Sequence, residues 1–175
     1  DVAPETLPLH TFEAQANNTM KCLWTSPEGK RSAEYLIEMA SVVTGGADKL
    51  AEKPIIMSGG CPISPLTLCK EYTEALIVYA KAKVPFMELS MALGGGTAPT
   101  TIAGTLVTHN AEVLSSVVLA QLVQPGAPCI YGSSTTNLDL RKGTATVGSP
   151  ELAMINACVA HLAQFYGIPS VVAGG

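Results

Sequence analysis

Short apolar runs rich in β-branched residues recur at Met20–Trp24, Pro54–Ser58, Pro85–Ser90, Pro128–Tyr131 and Pro169–Ala173. They are nearly apolar throughout, which predicts strands buried on both faces. Proline stands at several of their entrances, where a missing N–H costs least. Between them the apolar positions take the three- and four-residue spacing of helices. Arg31–Thr44 sets Leu36, Ile37, Met39, Ala40 and Val43 on one side, and Leu66–Ala82 does the same with Leu66, Cys69, Leu76, Ile77 and Ala80. A long helix over Thr100–Val123 turns Ile102, Leu106, Val113, Leu114, Val117 and Val118 inward and stops at Pro125-Gly126. The fourth opens at Ser149-Pro150-Glu151, an N-cap followed by a proline and an acid in the first turn, and runs to Phe165 before Gly167.

Five strands alternating with four helices predict parallel strands joined by right-handed crossovers. The expected fold class is α/β, closed either as a doubly wound open sheet or as part of a (β/α)8 TIM barrel with about five strands present. A whole barrel takes about 250 residues. The last strand, ending at Gly174-Gly175, has no covering helix. Residues 1–175 are therefore expected to be a fragment of one barrel domain, with N-terminal and C-terminal portions missing.

The glycine-rich stretches follow strands: Gly59-Gly60-Cys61-Pro62, Gly94-Gly95-Gly96-Thr97, Gly132-Ser133-Ser134-Thr135-Thr136 and Gly174-Gly175. In either closure this puts them on the C-terminal rim, where such folds build their sites. Glycines ahead of a helix also suit an anion, so a phosphate-binding barrel enzyme of another class stays open. Neither G-x-G-x-x-G nor G-K-[ST] occurs, which weakens any nucleotide site.

Composition narrows the partners. With a net charge of −4 and no Lys/Arg cluster, nucleic acid and anionic membrane are poor partners. The longest apolar stretch, Val113–Val123, is interrupted by Ser115, Ser116 and Gln121, so no membrane span is expected. Asp1-Val2-Ala3-Pro4 has neither the basic flank nor the apolar run of a signal peptide. Only 14% of residues are charged and mean hydropathy is +0.32, so either the chain buries more surface than its length suggests or exposed surface is covered by something else; a homo-oligomer is expected. Cys22, Cys61, Cys69, Cys129 and Cys158 form no C-x-x-C pair, and His10, His109 and His161 are scattered. No bound metal is expected, and the thiols read as buried, reduced residues of a cytoplasmic protein.

Several candidate residues have a structural as well as a functional reading. Tyr131, at the end of a strand, suits a cation held by cation–π attraction, and equally suits the core. For Trp24 packing is the stronger reading. Glu88, inside an apolar strand, either balances a cationic substrate or pairs in the helix layer. Ser133 and Ser134 suit substrate contact and lack the G-x-S-x-G elbow of a nucleophile. His109 and Glu112 share a helix face and read chiefly as structural hydrogen-bonding groups.

From Cys61 onward an ordered series of motifs resembles the trimethylamine:corrinoid methyltransferase family. It comprises Pro62-Ile63-Ser64-Pro65-Leu66, Leu89 to Pro99, Ala103 to Leu114, Tyr131 to Thr136, and Val147-Gly148-Ser149-Pro150-Glu151-Leu152. The match covers about two-thirds of the chain, and residues 1–53 fit only loosely. The resemblance implies a (β/α)8 barrel enzyme moving a methyl group from trimethylamine to the Co(I) of a cognate corrinoid protein, in the cytoplasm and in methanogenesis. It implies that the chain itself binds no cofactor, with the corrinoid carried by the partner. The family's trimethylamine branch has pyrrolysine at the position just after Gly175; relatives with an ordinary residue there act on quaternary amines of the glycine betaine type. A chain ending one residue short of a UAG-encoded amino acid favours the pyrrolysine branch. The catalytic residue is thus expected immediately after Gly175, and the fragment alone is expected to be inactive. Substrate contacts are expected from Glu88, Gly94, Gly95, Gly96, Thr97, Tyr131, Ser133 and Ser134. A third reading is a piece without catalysis, able only to assemble with its missing parts.

Overall fold

The computed structural model describes residues 2–173. After a 3-10 turn at Pro4–Thr6 the chain runs through α1 (Leu7–Asn18), β1 (Leu23–Thr25), α2 (Gly29–Thr44), α3 (Ala47–Glu52), β2 (Ile56–Gly60) and α4 (Lys70–Lys81). It continues with β3 (Phe86–Ser90), β4 (Leu93–Gly94), α5 (Ile102–Val123), β5 (Cys129–Ser133), β6 (Thr136–Asp139), β7 (Thr144–Ala145), α6 (Pro150–Tyr166) and β8 (Ser170–Val172). Five strands form one sheet in the order β1-β2-β3-β5-β8, with β1 parallel to β2 and β5 parallel to β8. This is the expected α/β class, parallel strands alternating with helices as in part of a (β/α)8 barrel.

The contacts divide the chain into two compact units. One is Asp1–Gly60, Lys70–Met87 and Val118–Pro128; the other is Cys61–Cys69, Glu88–Val117 and Cys129–Gly175. In the first, Leu36 and Ala40 of α2 and Leu76, Tyr79 and Ala80 of α4 are buried with Ile56 and Phe86 of the strands. Tyr72 and Tyr79 meet the Phe86 ring edge-on, with centroids 5.6 and 5.7 Å away. The Tyr79 hydroxyl lies 2.7 Å from Thr25 Oγ1, which in turn donates to the Met57 carbonyl. Burial pushes the Tyr79 phenol up to about 12, so it stays a neutral donor. Two sequence readings shift here. Val43, read as inward, is 59% exposed, because α2 buries a narrower stripe than its apolar residues mark out. The helix expected from Leu66 starts at Lys70: Leu66 has φ 56°, outside the helical region, and opens a loop instead.

The second unit holds a core of Val113, Tyr131, Ile155, Val159 and Ala163. Its α6 carries the predicted ends. Ser149 Oγ accepts from Leu152 N–H at 3.2 Å, Pro150 opens the helix, and Gly167 closes it at φ 68°. Helix α5 departs from expectation. Its buried positions include Thr105, His109, Glu112 and Ser116, spaced four, three and four residues apart, while Val107 is 71% exposed. By length and hydropathy α5 is apolar enough to cross a membrane, yet it buries two titratable side chains in this unit. A small sheet, β4-β6-β7, joins Leu93 and Gly94 to Thr136 and Asn137. Its two-residue strands fall below any periodic signal.

Candidate functional site

In the second unit, α5 ties the ends of the parallel strands to the loops that follow them. Glu112 is 1% exposed, and its carboxylate accepts three hydrogen bonds: from Ser90 Oγ at the end of β3 (2.6 Å), from Ser64 Oγ (2.9 Å) and from Leu66 N–H (3.0 Å). One turn earlier, His109 Nδ1 lies 2.9 Å from Thr135 Oγ1 in the loop after β5. Thr135 Oγ1 donates to the Ser90 carbonyl at 3.2 Å, which leaves it to accept from a protonated Nδ1. His109 Nε2 is then a buried acceptor with no hydrogen-bond partner. Burial lowers the His109 pKa to about 4, so the ring is neutral at pH 7. One face of one helix therefore fixes the loop 61–69, the end of β3 and the loop after β5.

The glycine loop after β3 is closed on itself. Gly95 N–H donates to the Ala98 carbonyl at 3.0 Å and Gly96 N–H to the Leu93 carbonyl at 2.9 Å. Thr97 Oγ1 accepts from Leu93 N–H at 2.9 Å. Gly95 needs its positive φ of 84°, and any side chain on Gly94 would collide with Asn137 and Thr105. The N–H groups of Gly95 and Gly96 are thus spent inside the turn, which removes the main support for a phosphate cradle here. Gly94, Gly95, Gly96 and Thr97 form a rigid corner of the rim.

The remaining candidates separate by the strand alternation. Phe86 and Ser90 of β3 face helices, the first towards Tyr72 and Tyr79, the second towards Glu112. Glu88, fully buried between them, takes the same side and so faces the helix layer rather than a substrate cavity. Tyr131 also turns there. It is fully buried, its hydroxyl donates to Asn110 Oδ1 at 2.7 Å, and its ring stacks on Tyr166 with centroids 6.2 Å apart. Burial, with the neighbouring Tyr166, pushes its phenol well up. The structure thus gives Tyr131 the core reading and removes its ring face from a cation. Ser133 is fully buried and its Oγ accepts from Thr135 N–H at 3.2 Å, closing its own loop. Ser134 is half-buried, its N–H on the Ser90 carbonyl, and of the two serines it is the one placed to meet a ligand.

In the first unit, Trp24 reverses its sequence reading. It lies on the opposite side of β1 from the buried Leu23 and Thr25, is 40% exposed, and its indole N–H donates to Ser26 Oγ at 3.1 Å. The ring passes so close to Gly59 that a Cβ there would sit 2.6 Å from its Cη2. Sequence reasoning missed Ser64, Ser90 and Thr135 as one network with α5; the three-residue spacing of His109 and Glu112 was its only trace. The expected catalytic position after Gly175, and Gly174-Gly175 themselves, lie outside the described residues. Among the described residues no group of three or more His, Cys, Asp or Glu is close enough to hold a metal, and no cysteine is in a disulfide; the thiols are not buried as expected, with Cys22 and Cys158 exposed and Cys61, Cys69 and Cys129 half-buried.

Over residues 1–175 the chain matches the family described as trimethylamine methyltransferase (MTTB). It is 49% identical over 175 residues to the trimethylamine methyltransferase MttB of Desulfitobacterium hafniense strain DSM 10664 / DCB-2, covering all of this chain and 35% of that protein. It is 54% identical over 165 residues to the protein of that name in Methanosarcina barkeri strain Fusaro, covering 94% of this chain and 33% of that one. To the glycine betaine methyltransferase of Desulfitobacterium hafniense strain Y51 it is 40% identical over 167 residues, covering 95% and 35%. The chain spans about a third of the length of these curated relatives.

Proposed function

This chain belongs to the trimethylamine methyltransferase family, and we propose from that membership that it serves transfer of a methyl group from trimethylamine to the Co(I) of a corrinoid protein. The observation that carries the reading is the match over the whole chain, with identities of 49% and 54% to proteins named for trimethylamine and 40% to one named for glycine betaine. The corrinoid, held by a separate protein, is the methyl acceptor, and further copies of this chain are its other partners. The setting is the cytoplasm, in methylamine metabolism such as methanogenesis.

The chemistry assigns the chain's residues a positioning role. A methyl leaves nitrogen readily only when the C–N electron pair departs with a neutral amine, so the nitrogen must first be tetravalent and cationic. Trimethylamine needs an electrophile to reach that state, which is the role we assign to pyrrolysine after Gly175. In-line attack by Co(I) then needs the reacting atoms about 3–3.5 Å apart. A rim anchored through Glu112 and His109 keeps Ser134 and the turn Gly94–Thr97 in fixed places around such a substrate.

A second reading, demethylation of a quaternary amine, is favoured by the relative named for glycine betaine. The test is formation of methyl-Co(III), followed by absorbance, with the enzyme at its natural length, a corrinoid protein reduced to Co(I), and each amine in turn. Trimethylamine turnover with pyrrolysine after Gly175 is the expected result. Turnover of glycine betaine alone supports the second reading, and turnover of neither overturns both.

A further inference from the structure

One large aromatic side chain of the first unit is neither in the core nor loose on the surface. On β1, Leu23 and Thr25 are buried and Thr25 bonds to Tyr79 of α4, so Trp24 between them stands on the opposite side of the sheet. Strand β2 alternates in the same way, with Ile56 and Ser58 buried and Met57 and Gly59 on the side of Trp24. In a (β/α)8 barrel the side away from the helices is the interior. Trp24 pairs with Met57, yet its Cη2 lies over Gly59, two residues further along β2. The indole therefore leans towards the C-terminal ends of the strands, where such barrels build their sites. Two features hold the ring there. Its N–H donates to Ser26 Oγ at 3.1 Å. Gly59 has no positive φ to account for a glycine; a Cβ there would meet Cη2 at 2.6 Å and the Met87 carbonyl oxygen at 2.9 Å, so its missing side chain makes room for the ring.

We propose that the open face of Trp24 is a binding surface for the methyl-bearing, positively charged nitrogen of the substrate. This rests on the methyl-transfer reading above and adds a residue which that reading left out. The chemistry selects the ligand. Trimethylamine is protonated at neutral pH and a quaternary amine is a cation at any pH, so each brings a charge spread over methyl groups. Such a group offers one hydrogen-bond donor or none, so hydroxyls and amides hold it poorly, whereas the face of an indole attracts it more than any other uncharged side chain. The ring is 40% exposed, which leaves that face free, and its N–H is already committed to Ser26, so it acts through the face and not as a donor. The other aromatic residues on the described parallel strands are Phe86 and Tyr131. Phe86 is buried against Tyr72 and Tyr79, and Tyr131 against Tyr166. Of the three, Trp24 alone presents its ring to the interior side.

The test uses the protein at its natural length, tetramethylammonium ion as the probe and titration calorimetry as the readout, without the corrinoid protein so that no methyl is transferred. Tryptophan is replaced during expression by analogues carrying progressively more ring fluorines, which drain the negative face and hardly change its shape. Affinity is expected to fall stepwise along the series, by roughly tenfold in all, and the trend to vanish in Trp24→Phe carrying the same analogues. Trp24→Leu is expected to weaken binding by about tenfold and to raise the KM for the amine. A series without a trend, or a trend unchanged in Trp24→Phe, overturns the proposal, as does a folded Trp24→Leu that binds the probe as tightly as its parent. If Trp24→Leu does not fold, the fluorinated series decides by itself, because it leaves the packing intact. The methyl-transfer reading fails separately: absence of methyl-Co(III) with every amine leaves the probe measurement standing, and loss of the fluorine trend leaves methyl transfer standing.

Discussion

Helices α2 and α4 of the first unit differ from α6 and the larger part of α5 in the second: all four flank the parallel strands, yet their surfaces are unlike. The outer side of α2 and α4 is a field of charge, with Lys30 3.7 Å from Glu34, Lys70 3.8 Å from Glu74, and Arg31, Glu38 and Glu71 around them. Inside, the same helices bury Leu36, Ala40, Leu76 and Ala80. Helix α5 buries Val113 in an apolar core too, but beside it runs a second, polar stripe. Its inner stripe of Thr105, His109, Glu112 and Ser116 is polar and fully or almost fully buried, and its outer stripe holds Val107 and Val118. An apolar core holds a helix without regard to its neighbours' exact positions. A polar stripe holds it only if each donor finds its acceptor, which ties the rim loops to one geometry. The contrast separates helices held by apolar packing alone from one that adds to its apolar core a buried stripe set by hydrogen bonds.

The strongest way to break that contrast is to remove the carboxylate at its centre. Glu112→Leu leaves Ser90 Oγ as a buried donor without its carboxylate acceptor, and takes the partner from the part-buried Ser64 Oγ and Leu66 N–H as well. The expected destabilisation is about 2–3 kcal/mol, most of it from the fully buried Ser90 hydroxyl, because an orphaned buried donor keeps its desolvation cost while the part-buried pair can turn to water. It is measured as a lower urea midpoint at unchanged slope. A loss under about 1 kcal/mol would mean that the three donors find water, and that the rim is not fixed by this helix.

His109 sharpens the comparison through pH. Its pKa in the folded protein is about 4, below the ordinary 6.5, so the unfolded chain takes up the proton first. The neutral ring's contribution is fully present above pH 6.5 and is lost as pH falls through the folded value. The loss over that window, from 6.5 down to about 4, is on the order of 3 kcal/mol. His109→Gln keeps a donor for Thr135 and should flatten this part of the pH–stability curve. The curve measured for the variant and its parent decides it, and parallel curves would assign the acid sensitivity to other groups.

The legible parts of the molecule were those with one dominant signal. The strand–helix alternation, the Ser149-Pro150 start and Gly167 stop of α6, and the rim position of the glycine loops each rest on local backbone chemistry. What stayed hidden was direction. A strand apolar on both faces gives no cue to which residues turn inward, so Glu88 and Tyr131 read as rim candidates and Trp24 as packing, while the structure turns the first two to the helix layer and the third away from it. In α5 the apolar residues run round the whole helix, and periodicity assigned Val118 inward although it is 55% exposed. The polar residues at 105, 109, 112 and 116 carried the information, in the same spacing, but a search for apolar faces passes over them.

The smallest expected effect comes from the surface that looks most strongly bonded. Lys30–Glu34 and Lys70–Glu74 are i,i+4 pairs whose side chains are 36–79% exposed. Each meets solvent screening and the entropy of holding two long side chains, which leaves about 0.3–0.5 kcal/mol for such a pair. The Lys30→Gln, Lys70→Gln double variant should therefore lower stability by less than about 1 kcal/mol in dilute buffer, and by nothing measurable in 1 M salt, where the Debye length is about 3 Å. Urea unfolding at the two salt concentrations checks this. The two lysines do more for solubility than for folding, since they keep the outer side of α2 and α4 mixed in sign and wet. If the double variant lost as much as Glu112→Leu, the charged face would be a structural network in its own right.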